Sequence, residues 1–149
     1  MSSPTANREP LTAGATTHVV AGALFDEQGR VLIAQRPHGK HMAGGWEFPG
    51  GKLEAGEEPI AGLRRELREE LGVEVHAAER LTANEHTFAD RCVFLDLWLV
   101  TGYSGEARPL EDQPLQWIAL EDLDKVGLLE ADAPMIPALR ARKAVGCRL

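Results

Sequence analysis

Cysteine is nearly absent: only Cys92 and Cys147 occur, far apart, with no His or Cys at metal-ligand spacing nearby. That leaves a thiolate metal site or a redox pair without support. Cys92, inside an apolar strand-like run, reads as a small core residue. Long apolar runs are missing too. None approaches the roughly 18 residues of a membrane-spanning helix, and the N-terminus has no apolar core of a secretion signal. The expected setting is therefore cytoplasmic and reducing, with no membrane partner. A basic excess is also lacking. The net charge of -7 repels a phosphate-rich polymer on average, so duplex nucleic acid is not an expected partner. A small anion is still acceptable where a bound cation locally reverses the field. No internal repeat and no long linker divides the chain.

What is present is an ordinary globular composition, 44% hydrophobic and 26% charged over 149 residues. This suffices for one domain with a real core and is too little for two. Residues 1–15, rich in Ser, Thr, Pro and Ala, read as a flexible tail, with a single domain over 16–149. Thr16 to Phe25 is strand-like, and Asp26-Glu27-Gln28-Gly29 turns it into Arg30 to Gln35, a hairpin pattern. Pro37 to Gly45 is a loop, and Glu74 to Glu85 alternates weakly as a strand. Phe88-Ala89-Asp90 is turn-like. Arg91 to Tyr103 reads as a central strand, with Val93, Leu95, Leu97 and Leu99 on one face and Phe94, Trp98 and Val100 on the other. Asp96 interrupts the second face and is expected to be a hydrogen-bonded core or rim residue. Leu115 to Leu120 returns as a strand and Glu121 to Val126 as a helical turn. Ala133 to Lys143 reads as a terminal helix, with Pro134 in its first turn and Asp132 as N-cap. One helix between strands and one after them predicts an α+β fold, an α/β/α sandwich around a mixed sheet.

The most informative stretch is Gly50 to Val73. Gly50-Gly51 permits a sharp turn and close backbone approach. Pro59 at a first helical position and Gly72 at a stop define a helix over 59–71. Ile60, Leu63, Leu67 and Leu71 form its apolar stripe. Glu66, Glu69 and Glu70 share the neighbouring face, where like charges at this spacing repel by roughly 0.2–0.5 kcal/mol. The last-turn dipole opposes Glu69 and Glu70 further. Two readings stand: a solvated acidic face balanced by Arg64, Arg65 and Arg68, or a carboxylate cluster assembled for a divalent cation. Mg²⁺ takes carboxylates, backbone carbonyls and water, and accepts substrate phosphates as remaining ligands.

The spacing Gly51-x5-Glu57-x7-Arg65-Glu66-Leu67-x-Glu69-Glu70-x-Gly72-Val73 resembles a complete Nudix box. The flanking run from Arg36 to Gly51, with His41-Met42-Ala43 and Glu47-Phe48-Pro49, is similar to the MutT branch in particular. The resemblance extends from about Gly14 to about Arg142 and implies the Nudix fold, the same sandwich. It implies Mg²⁺, with Mn²⁺ as a substitute, held by the Gly50 carbonyl and by Glu66, Glu69, Glu70 and Glu111. Arg65 would clamp a glutamate, Glu57 would support the loop–helix junction, and Glu111 would reach the metal or act as general base. Arg36, His41, Glu47, Phe48, Pro49, Gly50, Arg91 and Asp132 would contact base and phosphates.

The implied activity is hydrolysis of a nucleoside triphosphate to the monophosphate and pyrophosphate, by a monomer or homodimer. The first candidate substrate is 8-oxo-dGTP, in sanitation of the nucleotide pool for DNA replication and repair. Asp132 is a departure, because the best-known 8-oxo-dGTP enzymes carry Asn there. Ionised Asp only accepts hydrogen bonds whereas Asn also donates, which suggests (d)CTP or 5-methyl-dCTP as the alternative. A non-catalytic nucleotide-binding Nudix module is a different-class alternative, opposed by the intact box. A hydrolase of nucleotide sugars or dinucleotides would normally carry extra segments.

Overall fold

The computed structural model describes residues 16–37, 42–89 and 91–144. The expected tail over 1–15 lies outside them, as do His41 and Asp90. Seven strands and two α-helices follow in the order β1 (Thr16–Ala23), β2 (Val31–Gln35), β3 (Trp46–Glu47), β4 (Gly50–Lys52), α1 (Pro59–Leu71), β5 (Glu74–Thr87), β6 (Cys92–Ser104), β7 (Leu115–Ile118) and α2 (Ile136–Ala144). They form a four-stranded mixed sheet, β4-β1-β6-β5, and a three-stranded sheet, β3-β2-β7. β1 runs parallel to β6 and antiparallel to β4, while β5 runs antiparallel to β6.

The two faces of β6 divide as its alternation requires. Leu95, Leu97 and Leu99 join Ala21, Ile33, Phe48 and Leu139 in a core on the α2 side. Trp98 and Val100 join Val20, Leu63, Leu67 and Leu71 in a core on the α1 side. The sheet thus lies between the helices in the expected sandwich. Leu63, Leu67 and Leu71 are fully buried, and each such side chain contributes about 1.5–3 kcal/mol of burial free energy. These three leucines fix which face of α1 looks at the sheet, and hence where its glutamates point. Asp96 is fully buried on the α1 side. It accepts from Arg80 Nε at 2.8 Å and from Arg80 Nη2 at 2.6 Å, and its Oδ2 lies 3.0 Å from His18 Nε2. It is the satisfied core carboxylate expected.

Two sequence expectations need correction. β1 and β2 do not form a hairpin. The turn exists, with the Asp26 N–H donating to the Arg30 carbonyl at 3.0 Å and Gly29 at φ 78°. Beyond a single bridge between Phe25 and Val31, however, β2 leaves for the second sheet. β1 is needed between β4 and β6, and that non-local pairing overrides the local turn. The terminal helix also begins later than expected. Ala133–Met135 is a 3₁₀ turn leading into α2. Asp132 precedes that turn but makes no side-chain cap hydrogen bond.

Candidate active site

The loop–helix junction is built around Arg65. Its Nε and Nη2 donate to Glu57 at 2.8 and 2.9 Å, the two-pronged match of a planar guanidinium to a carboxylate. Nη2 also reaches the Lys52 carbonyl at 3.1 Å, and Nη1 donates to Glu66 at 3.0 Å and to Glu69 at 3.4 Å. Arg65 therefore ties β4 to α1 and aims two of the three box carboxylates. The Arg65 hydrogen bonds, together with the Glu54 N–H, hold the Glu57 carboxyl down at about 2. It is an anion throughout the physiological range.

Gly50 and Gly51 are dictated by close approach. A Cβ on Gly50 would strike the Val20 carbonyl and Ala21 Cα of β1, and a Cβ on Gly51 would sit on the Glu66 carboxylate. The Gly-Gly pair thus brings main chain flush against β1 on one side and against Glu66 on the other. Glu70, one turn on from Glu66, is largely buried. Burial first, then the hydrogen-bonded neighbour Glu66 and the charges of Glu66, Glu111 and Glu47, push its carboxyl far above the usual range. A buried carboxylate surrounded by anions is a site that calls for a cation. Among the described residues no three His, Cys, Asp or Glu side chains are gathered closely enough to cage an ion as they stand. Glu66 and Glu69 face Arg65 instead. The donor set is nevertheless hard oxygen throughout, beside a glycine cradle, and this suits a divalent ion that keeps water and phosphate among its ligands.

One cleft of about 690 Å³ collects most of the remaining candidates: Arg36, Glu47, Phe48, Pro49, Gly50, Glu70, Arg91, Glu111 and Asp132 all line it. Arg65, Glu66 and Glu69 are absent from its lining; Glu66 lies behind Gly51 and Glu70, which do line it, and Glu69 is exposed. In the same lining, Asp132 Oδ2 accepts the Phe48 N–H at 3.0 Å. Burial, with a smaller contribution from Glu47, raises the Asp132 carboxyl to about 8 against the lowering effects of that N–H and of Arg36. Phe48, only 3% exposed, belongs to the core and lines the cleft at once. Arg36 Nε lies 3.3 Å from Glu47. The Arg91 guanidinium sits 5.4 Å over the Phe88 ring, which itself lines the cleft.

Phe88 and Gln113 also line the cleft and are not among the residues to which the sequence points. Phe88 reads only as part of a turn, and a polar loop residue between Asp112 and Pro114 carries no signal of its own. Both owe their place to the strand return and the loop fold.

A family model described as a NUDIX domain matches residues 20–138. The CTP pyrophosphohydrolase of Escherichia coli is 37% identical over 84% of this chain and 93% of its own length. The 8-oxo-dGTP diphosphatase of the same organism is 35% identical over 82% and 95% respectively. The solution structure of the E. coli ORF135 protein superposes with a TM-score of 0.79 at 36% identity, covering 92% of this chain and 97% of that one. The sandwich agrees with these matches, and the chain belongs to the NUDIX domain family.

Proposed function

We propose that this protein is a Mg²⁺-dependent nucleoside triphosphate pyrophosphohydrolase that converts a triphosphate and water to the monophosphate and pyrophosphate, with 8-oxo-dGTP as its leading substrate. One observation carries the reading: a single cleft is lined both by the carboxylates Glu70 and Glu111, which repel one another, and by the buried, amide-bonded carboxyl of Asp132. The first suits a metal-bound triphosphate and the second a base edge. The metal would be held by the Gly50 carbonyl, Glu66, Glu69, Glu70 and Glu111. When bound, it supplies charge for the phosphoryl oxygens and lowers the pKa of a water.

The chain's own side chains do the rest. Arg65 fixes Glu66 and Glu69, Arg36 would offer its guanidinium to phosphate beside Glu47, and Glu111, in the cleft lining, would take a proton from water. Arg91, whose Nε is buried without a hydrogen-bond partner among the described residues, offers a donor over the Phe88 face. Phosphoryl transfer asks mainly for positioning and charge neutralisation, and this arrangement provides both.

The base preference follows from Asp132. With its carboxyl raised to about 8, it keeps a proton at neutral pH. One oxygen serves Phe48, and the group as a whole both donates and accepts, as an Asn would. That supports a purine edge despite the absence of Asn. The cytosine alternative, (d)CTP or 5-methyl-dCTP, draws on the ionised form of the same residue and on the similarity to a CTP pyrophosphohydrolase. No helix among the described residues is long and apolar enough to cross a membrane, and soluble nucleotides of the cytoplasm are the proposed substrates. The deciding assay is a panel of (d)NTPs, 8-oxo-dGTP and 5-methyl-dCTP with Mg²⁺, scored for monophosphate and pyrophosphate. Binding without any product, across the whole panel, would favour a non-catalytic module.

A further inference from the structure

The loop after β6 is fastened to the end of α1 by the side chain of Gln113. Gln113 is 7% exposed, one of few buried polar side chains, and lines the cleft. Its Nε2 donates to the Glu70 carbonyl at 3.0 Å, and its Oε1 accepts the Glu111 N–H at 2.9 Å. The partners dictate the amide's orientation, because a carbonyl only accepts and an N–H only donates. No other side chain of this length serves both. A glutamate would turn an acceptor toward a carbonyl and add an anion beside Glu70, and a methionine would serve neither partner.

The place of attachment matters. The Glu70 and Leu71 carbonyls lie in the last turn of α1, where no intrahelical donor remains. They are taken by the loop: Leu110 N–H reaches Glu70 O at 3.1 Å and Arg108 N–H reaches Leu71 O at 3.0 Å. Between Glu111 and Gln113, Asp112 adopts φ 61°, a left-handed conformation that a non-glycine residue holds only when its surroundings impose it. Glu70 thus presents its carboxyl to the cleft while its main chain anchors the loop that carries Glu111. Two carboxylates that repel one another are kept at one site by a neutral strut.

We propose that Gln113 is a positioning residue that sets Glu111 against the metal-binding end of α1. The inference rests on the reading of Glu111 as a metal ligand or base, and the test separates the two. Glu111→Gln, Gln113→Met and the double variant are compared for kcat and KM with 8-oxo-dGTP, for Mn²⁺ affinity by titration, and for hydrogen exchange at the Glu111 amide. The strut predicts that Gln113→Met lowers kcat roughly 10- to 100-fold, as small misplacements of reacting groups do, with KM changed less than about threefold. Mn²⁺ affinity falls and the Glu111 amide exchanges faster. In the double variant kcat is no lower than in Glu111→Gln alone, because the strut acts through the residue already lost.

Gln113→Met with wild-type kcat beside a crippled Glu111→Gln overturns the strut while sparing the Glu111 reading. So do losses that simply multiply in the double variant. A fully active Glu111→Gln overturns the Glu111 reading and the inference with it. Should Gln113→Met melt below the assay temperature, Gln113→Asn takes its place. It is neutral and polar but one methylene too short to bridge the Glu70 carbonyl and the Glu111 N–H together, and the same loss and non-additivity are expected.

Discussion

The Asp132 carboxylate accepts the Phe48 main-chain N–H at 3.0 Å across 84 residues of sequence, and so it faces the cleft instead of capping the helix it precedes. Buried there, it titrates near 8, against an ordinary value of 3.8. Below that pH the group donates and accepts, and above it the group only accepts. The ratio of kcat/KM for 8-oxo-dGTP over 5-methyl-dCTP should therefore fall as pH rises through about 8. Asp132→Asn should flatten that dependence. At pH 6.5 the variant should stay close to wild type, and at pH 9 it should favour the purine by about 10-fold or more, the scale of one hydrogen bond to a charged group. A pH-independent ratio in wild type would remove Asp132 from base recognition.

The same shift has a sign for stability. The folded form binds the Asp132 proton more tightly than the unfolded chain does. Its stabilising contribution is therefore complete below about pH 4 and is lost as pH rises through about 8. Relative to Asp132→Asn, wild type should lose melting temperature steadily across that window and level off above it. Parallel melting curves at pH 4, 6 and 9 would contradict the raised value.

Glu70 should show activity and stability moving in opposite directions. Glu70→Gln removes a buried carboxylate from among Glu66, Glu111 and Glu47, so the metal-free protein should melt higher at pH 8. Turnover with Mg²⁺ should fall at least about 100-fold, because charge at the reacting phosphate is lost. Millimolar Mg²⁺ should raise the wild-type melting temperature, since a ligand that binds only the folded form stabilises it, and the variant's much less. Near-wild-type turnover in saturating Mg²⁺ would sink the assignment.

The two adjacent glycines should separate fold from function. Gly50→Ala drives a methyl into the backbone of β1, which cannot yield, and should cost about 1–3 kcal/mol or more in overall stability. Gly51→Ala meets the Glu66 carboxylate instead, and a side chain can swing away. Its melting temperature should change little while kcat falls by roughly 10-fold or more through a displaced ligand. Equal effects of both substitutions on stability and turnover would refute the division.

Asp96 should behave as pure structure. Asp96→Ala leaves Arg80 and His18 without the carboxylate they share. Arg80 is half exposed and stays solvated, so the loss is that of hydrogen bonds to a buried charged group, about 1.5–3 kcal/mol. Denaturant unfolding should show that loss, with kcat unchanged at a temperature where the variant is folded. A selective fall in kcat would give Asp96 a chemical role.

What was legible in the sequence was what is local. Pro59, Gly72 and the leucine stripe bound α1 at Pro59–Leu71, with Gly72 left-handed at φ 74°, because capping and periodicity act within a few residues. The alternation of β6 named its two faces for the same reason, and the spacing from Gly51 to Glu70 pointed to the acidic cluster. Tertiary structure decided the rest. β1 and β2 looked like a hairpin, but β1 is claimed by β4 and β6, whose pairing a local turn signal does not contain. Asp132 reads as a cap and, by resemblance, as a base contact; its hydrogen-bond partner lies 84 residues away, and burial, not spacing, sets its protonation. Gln113 had no signal at all: its two hydrogen bonds exist only once the loop folds over the end of α1. Local pattern determined the elements and the acidic face of the helix. Long-range packing decided which carboxyl reads the cleft and which amide holds the loop, because burial and non-local hydrogen bonds have no image in residue spacing.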